Sequence, residues 1–276
     1  MRNLIEDLRA EQEDLDRILA GLDDRAWETA TPAEPWTIRD TVSHLAFFDE
    51  REIQAIEDPA GFAAEVNERL TNGIDLYMAL GIARGRSLTP SQVLDWWRTA
   101  REAELLAFAS VAPDASIPWY GPPMKASSAV SARLMETWAH GHDIADALGI
   151  TRPPTARLFH IAELGVKTFS WSYLNRGLEV PAKRVSVVLV GPDGDTRVWN
   201  EPMSDSITGP VEDFCLVVAQ RRNYRDTTLA IEGAIAESWM EVAQVFAGPP
   251  GPGRPPARIS QPSSSAEPRV REPFPP

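Results

Sequence analysis

Cysteine is almost absent: Cys215 stands alone among 276 residues. One thiol closes no disulfide within the chain and builds no cysteine-rich zinc site, which fits a reducing compartment. Long apolar runs are missing too. The N-terminal stretch MRNLIEDLRAEQEDLDRIL is charged throughout and lacks the apolar heart of a signal peptide. No segment reaches the ~18 apolar residues of a membrane span. A cytoplasmic location is therefore expected. Positive charge is in deficit, with 27 Lys+Arg against 40 Asp+Glu and a net charge of −13. Such a chain has no field to gather phosphates, so neither nucleic acid nor an anionic membrane is expected as a partner. Histidine is rare as well, occurring only as His44, His140, His142 and His160.

What is present describes an ordinary globular chain, 43% hydrophobic and 24% charged, long enough for one large or two modest domains. Leu4, Ile5, Leu8, Leu15, Ile18 and Leu19 recur at helical spacing over residues 3–21, and Gly21 sits where that helix would stop. Thr37, with Asp40 three residues on, predicts a capped helix running to about 58. Its apolar stripe is Ile38, Val42, Leu45, Ile53 and Ile56. A further helical stretch is expected over about 59–83. Pro90 at a first-turn position opens another, to about 110. Residues 111–124 form a proline-rich loop, and residues 126–148 form a long helix ended by Gly149.

These helices predict a bundle over residues 1–152, closed by the break Thr151-Arg152-Pro153-Pro154. A small α+β unit is expected over 153–248. It has helices at 156–176, 210–221 and 235–246, and strands at 185–190, 196–199 and 228–231. Residues 249–276 are rich in Pro, Gly, Ser and Arg, a composition that predicts a disordered tail.

Chemistry concentrates on the helix at 126–148. Arg133, Glu136, His140 and Asp143 are spaced 3, 4 and 3, which places them on one face about 80° wide. Glu136 and His140, at i and i+4, can close on one metal ion, and His44 on the second helix can supply a third ligand. Asp143 is placed to accept the free N–H of a ligand histidine. His142 points roughly 160° away and is excluded, and His160 reads as structural. The same spacing occurs on solvated helix faces in general, so pattern alone leaves both readings open. Cys215, inside the apolar run Phe214-Cys215-Leu216-Val217-Val218, reads as inert. Trp36 and Trp138 adjoin ligand positions and are expected to pack near the site, with residues 119–124 at its rim.

Two motifs carry a resemblance. Pro35-Trp36-Thr37-Ile38-Arg39-Asp40-Thr41-Val42-Ser43-His44-Leu45 and Arg133-Leu134-Met135-Glu136-Thr137-Trp138-Ala139-His140-Gly141-His142-Asp143 resemble the two metal-ligand helices of the DinB-like bundle family. The branch is the one containing mycothiol-dependent maleylpyruvate isomerase. Ile207-Thr208-Gly209-Pro210-Val211-Glu212-Asp213-Phe214, then Gln220-Arg221-Arg222 and Leu229-Ala230-Ile231-Glu232-Gly233, resemble its sterol-carrier-like C-terminal domain. The likeness covers roughly 1–248 and is closest to an actinobacterial metal-binding, wyosine-base-formation-like subgroup.

The resemblance implies an α+β protein, a DinB-like up-and-down four-helix-type bundle followed by a small α+β sterol-carrier-like domain. It implies a divalent metal, usually zinc, on His44, Glu136 and His140, with Arg221 as the positional candidate for a catalytic arginine. The open position on that metal implies mycothiol or a related thiol and an electrophilic small-molecule substrate, hence a transferase or isomerase. It leaves room for a homodimer. Residues 59–83 and 111–124 depart from the family pattern, which puts its substrate pocket in doubt. Two other classes compete: a non-catalytic metal-binding or regulatory protein, and a carrier of apolar ligands in the C-terminal domain.

Overall fold

Thr37 caps the helix that carries His44. Its hydroxyl accepts from Asp40 N at 3.3 Å while Asp40 Oδ2 accepts from Thr37 N at 3.2 Å, so two otherwise orphaned helix-end N–H groups are satisfied. This helix, α2 (Ile38–Glu57), is one of four that form the bundle. The others are α1 (Arg2–Leu19), α5 (Pro90–Ala109) and α6 (Ala126–Leu148). Around the bundle the order is α1–α5–α2–α6. Thr89 and Gln92 repeat the capping box at α5, and Gly149 ends α6 with φ 66°, a left-handed conformation that suits glycine. The fold was obtained as a computed structural model that describes residues 1–72 and 74–257, with only the backbone of 69–78.

The helical stretch expected over about 59–83 comprises two helices, α3 (Pro59–Asn72) and α4 (Ile74–Arg86), both packed on α2. Close approach explains the glycines of α4. A Cβ on Gly85 would lie 1.8 Å from Ser43 Oγ and 2.5 Å from Ser43 Cβ, and one on Gly81 would lie 2.7 Å from Phe47 Cβ. These contacts flank His44 on α2. Gly85→Ala is therefore expected to push α4 off α2 and to destabilise the protein by ~1–3 kcal/mol, read by urea denaturation. A variant as stable as wild type would show that the two helices separate without cost.

The α2 stripe differs from the one expected. Ile38, Val42 and Leu45 are buried, but farther along Glu52 and Ala55 are buried while Ile53 and Ile56 are only half-buried. A polar network inside the bundle turns that end of α2 inward. Arg133 of α6 donates to Asp49 Oδ1 of α2 at 2.5 Å and to Glu104 Oε1 of α5 at 3.0 Å. Gln12 of α1 donates to Glu104 Oε2 at 3.2 Å. Arg133 and Glu104 together thus link side chains from all four helices.

Beyond α6 the chain forms α7 (Leu158–Lys167) and α8 (Phe169–Leu174), where one helix was expected. Strands β3 (Ser186–Val190), β4 (Thr196–Trp199), β5 (Ser206–Pro210) and β6 (Ala230–Glu232) form a sheet in the order β4-β3-β5-β6. Strands β3 and β5 are parallel, and the other neighbours are antiparallel. Two residues each from β1 (Ser116–Ile117) and β2 (Met124–Lys125) pair across the loop before α6. Helix α9 (Val211–Val218) packs on β3, β5 and α7, and α10 (Ala234–Val242) packs on β6 and α8. The apolar core is continuous through the break at 151–154: Leu134, Met135 and Trp138 of α6 share one cluster with Leu158, Phe159, Phe214 and Trp239. Cys215 is buried there, its thiol donates to Leu158 O at 3.3 Å, and burial pushes its pKa well up, which suits an inert role. Among the described residues no helix is long and apolar enough to cross a membrane.

Residues 243–257 continue past α10 and run back towards α6, and residues 258–276 lie outside the described part. So the segment expected to be a disordered tail includes a described stretch, 249–257, that touches the bundle through Arg254.

Candidate metal centre

The packing of α2 against α6 brings His44, Glu136 and His140 together, one donor atom of each within 4.8 Å of the others. Glu136 Oε2 and His140 Nε2 are 3.4 Å apart. Tetrahedral zinc, with donors at roughly 2.0–2.2 Å, sets its ligand atoms about 3.4 Å from one another, so this pair already has the separation of two ligands. His44 and His140 face each other edge to face, ring centroids 4.8 Å apart. Both are nearly buried, at 9% and 6% exposure, whereas a quarter of the Glu136 side chain is open. Access to the site is from the Glu136 side.

Aromatic rings close the other directions. Trp36 lies 4.7 Å from His44 and 5.8 Å from His140. It is presented by the loop before α2, where Thr31 N and Thr31 Oγ1 both donate to Trp36 O at 2.8 and 2.9 Å. Phe48, one turn beyond His44, packs on it at 4.7 Å and is backed by Trp119 and Tyr120 at 6.3 and 5.8 Å. The loop at 119–124 therefore reaches the site through Phe48. Trp138 does not: it packs on His142 at 4.4 Å on the opposite side of α6. At two residues from His140 it lies far round the helix, which overrides its nearness in sequence. His142 stands outside the triad, and burial with the nearby Arg152 holds its ring uncharged, with a pKa of about 4. His160 Nε2 meets Asp7 Oδ2 at 2.8 Å, away from the triad.

The electrostatics of His44 and Glu136 suit cation binding. Burial, reinforced by His140, keeps the His44 ring uncharged well below the usual imidazole range. Burial alone would raise the Glu136 carboxyl, but His140, His44 and Arg133 hold it down at about 2. His140 is desolvated as well, yet its bonds to Asp143 and Glu136 raise its pKa. Two imidazoles and an ionised carboxylate make a set of borderline nitrogen and hard oxygen donors, the kind zinc accepts.

Asp143 organises the far side of His140. Its Oδ2 lies 3.2 Å from His140 Nδ1 and accepts from Arg221 Nη2 at 2.7 Å. Arg221 Nη2 is also 3.4 Å from His140 Nδ1. That nitrogen cannot donate to Asp143 and accept from Arg221 at once. The shorter contact and the carboxylate charge favour Nδ1–H donating to Asp143, so Nε2 is the ring nitrogen turned towards Glu136. Burial opposes ionisation of Asp143, but His140 and Arg221 hold its pKa at about 2.

Arg221 arrives at this point because Gln220, with φ 59°, turns the chain after α9, so that Arg221 N and Arg222 N both donate to Leu216 O. Arg222 then grips Asp146 with two bonds of 2.7 and 2.8 Å. A third arginine completes the group: Arg254 Nη2 donates to Asp143 Oδ1 at 2.8 Å, and its Nη1 lies 3.7 Å from Asp146 Oδ2. Sequence reasoning missed it because Gly253-Arg254-Pro255-Pro256 offers neither periodicity nor a motif. Arg133, on the same face of α6 as the ligands, is taken up by the bundle network one turn below them.

Bundle, sheet domain and donor set together define a helical-bundle protein with a three-donor centre facing a small α+β unit. Residues 8–145 match the mycothiol maleylpyruvate isomerase N-terminal domain family, and the chain belongs to that family. All three donors fall within the matched span. A protein described as uncharacterized, from two strains of Mycobacterium tuberculosis, is 42% identical over 255 residues, covering 91% of this chain and 97% of its own. The crystal structure of the mycothiol-dependent maleylpyruvate isomerase superposes with a TM-score of 0.53 at 16% identity, over 80% of this chain and 89% of that one. A histidine-to-alanine mutant of the same enzyme gives 0.56 at 16%, over 83% and 92%. At that identity the likeness is one of fold.

Proposed function

We propose that the chain binds a divalent metal, zinc, through His44, Glu136 and His140, and acts as a mycothiol-dependent transferase or isomerase on an electrophilic small molecule. The observation that carries this reading is the convergence of three donors, one of them open to solvent, in a chain of the mycothiol maleylpyruvate isomerase family. A bound ion with only three protein ligands supplies Lewis acidity at its free position, where the pKa of a thiol falls towards neutrality. The rest is the work of the chain. His44 presents a neutral ring nitrogen, His140 turns its Nε2 to the same point, and Glu136 presents a negative oxygen on the open side. Trp36 and Phe48 keep water from the rings of His44 and His140, which strengthens the field felt by a guest. Asp143 holds the Nδ1 proton of His140. Arg221 lies on that Nδ1 side, so it acts by positioning Asp143.

The near-burial of both histidines favours a second reading, a metal-binding protein without catalysis. Titration of the zinc-loaded protein with mycothiol, followed by calorimetry and thermal melting, separates the two. Saturable binding that disappears when zinc is removed is expected. Zinc-loaded protein that ignores mycothiol would sink the thiol reading and leave the metal reading standing.

A further inference from the structure

Residues 243–257 have no helix or strand of their own beyond α10, yet their backbone is held by side chains from elsewhere in the protein. Trp171 Nε1 donates to Phe246 O at 3.2 Å, and Asn175 Nδ2 donates to Gly248 O at 2.9 Å. Arg176 Nη2 donates to Gly251 O at 3.1 Å, and Asn223 Nδ2 donates to Arg254 O at 3.0 Å. Ala257 N in turn donates to Asp226 Oδ2 at 2.8 Å. A segment of this composition makes few bonds within itself, so external donors satisfy its carbonyls and fix its course. It is a strap, and it delivers Arg254 to α6.

The delivery is specific. The Asp143 carboxylate is 1% exposed, and its Oδ2 is already engaged by His140 and Arg221. Arg254 takes Oδ1, the oxygen left over. A carboxylate bonded through one oxygen only can still turn about its terminal torsion, which is broad and soft. Held through both oxygens, it presents Oδ2 to Nδ1 at one angle and so fixes the plane of the His140 ring.

We propose that Arg254 is a positioning residue for the metal centre: by holding Asp143 Oδ1, it locks the carboxylate that orients His140 towards Glu136 and His44. The proposal rests on the reading of the triad as a metal site. The strap thereby couples a stretch of chain outside both the bundle and the sheet to the ligand set.

Arg254→Gln and Arg254→Lys test this in the full chain. Zinc affinity is read by chelator competition, the ligand field by the visible spectrum of the cobalt(II) form, and the fold by thermal melting. Loss of a group that orients a ligand weakens metal binding by roughly 10- to 100-fold. Arg254→Gln is expected at the lower end of that range, with an altered cobalt spectrum and a melting point near wild type, and Arg254→Lys is expected to recover part of the loss. Wild-type affinity and spectrum in a folded Arg254→Gln protein would overturn the proposal. Asn223→Ala, which unpins the Arg254 carbonyl and leaves every charge in place, is the second variant. A weaker zinc affinity there supports the strap, and an unchanged one overturns it even if Arg254→Gln does not fold. Wild-type protein that binds neither zinc nor cobalt would instead sink the metal reading itself.

Discussion

On the proposed ligand set, His140→Ala is expected to lose most of the zinc affinity, by roughly a hundred- to a thousandfold, while its fold persists. The size follows from sharing the ~10–16 kcal/mol of a four-ligand structural zinc site among its ligands, which gives ~2.5–4 kcal/mol for each. Persistence of the fold follows from the environment of His140. Removing the ring leaves Asp143 held by Arg221 and Arg254 at 2.7 and 2.8 Å, so no buried charge is orphaned. Helix α6 also keeps its buried contacts from Ala126 to Ala145. Metal content after dialysis and chelator competition measure the first part, and circular dichroism measures the second. A mutant that retains zinc at wild-type affinity would show that the ion sits elsewhere.

Arg133→Met is expected to cost about 3–5 kcal/mol of folding stability, the usual consequence of removing one partner from a buried ion pair. Arg133, Asp49 and Glu104 are all nearly inaccessible, so the two carboxylates would lose their cation without gaining water. The loss depends on pH in a direction the structure fixes. Burial, with Arg133 opposing it, already raises the Asp49 and Glu104 carboxyls above their unfolded values. Without Arg133 they rise further. A carboxyl raised in the folded state destabilises as pH climbs from its unfolded towards its folded pKa. The deficit of Arg133→Met should therefore be larger at pH 8 than at pH 5, by urea denaturation at the two values. A pH-independent loss of about 1 kcal/mol or less would mean that the network is solvated.

Features set by local chemistry were readable in the sequence. The Thr37–Asp40 end, the Pro90 start of α5, the Gly149 stop and strands β3 and β4 follow from groups within a few residues of one another. Strand β5 was not, because Ser206-Ile207-Thr208-Gly209-Pro210 carries one large apolar side chain and two residues that strands disfavour; its place beside β3 comes from pairing across the sheet. The inward turn of Glu52 was hidden for a similar reason, since its polar surroundings come from α5 and α6. Of the site, helix spacing brought out Glu136, His140 and Asp143, and the family resemblance selected His44 and Arg221. No local pattern marks Arg254, whose partner lies 111 residues back along the chain.

That separation gives the centre a history. Ribosomes extend a chain at ~5–20 residues per second, so Arg254 is joined roughly 6 to 22 seconds after Asp143. During that interval the nascent bundle already carries His44, Glu136 and His140, while Asp143 gains Arg221 partway through and Arg254 only at its end. The centre thus matures in stages, with the second oxygen of Asp143 secured last by the strap that closes over α6.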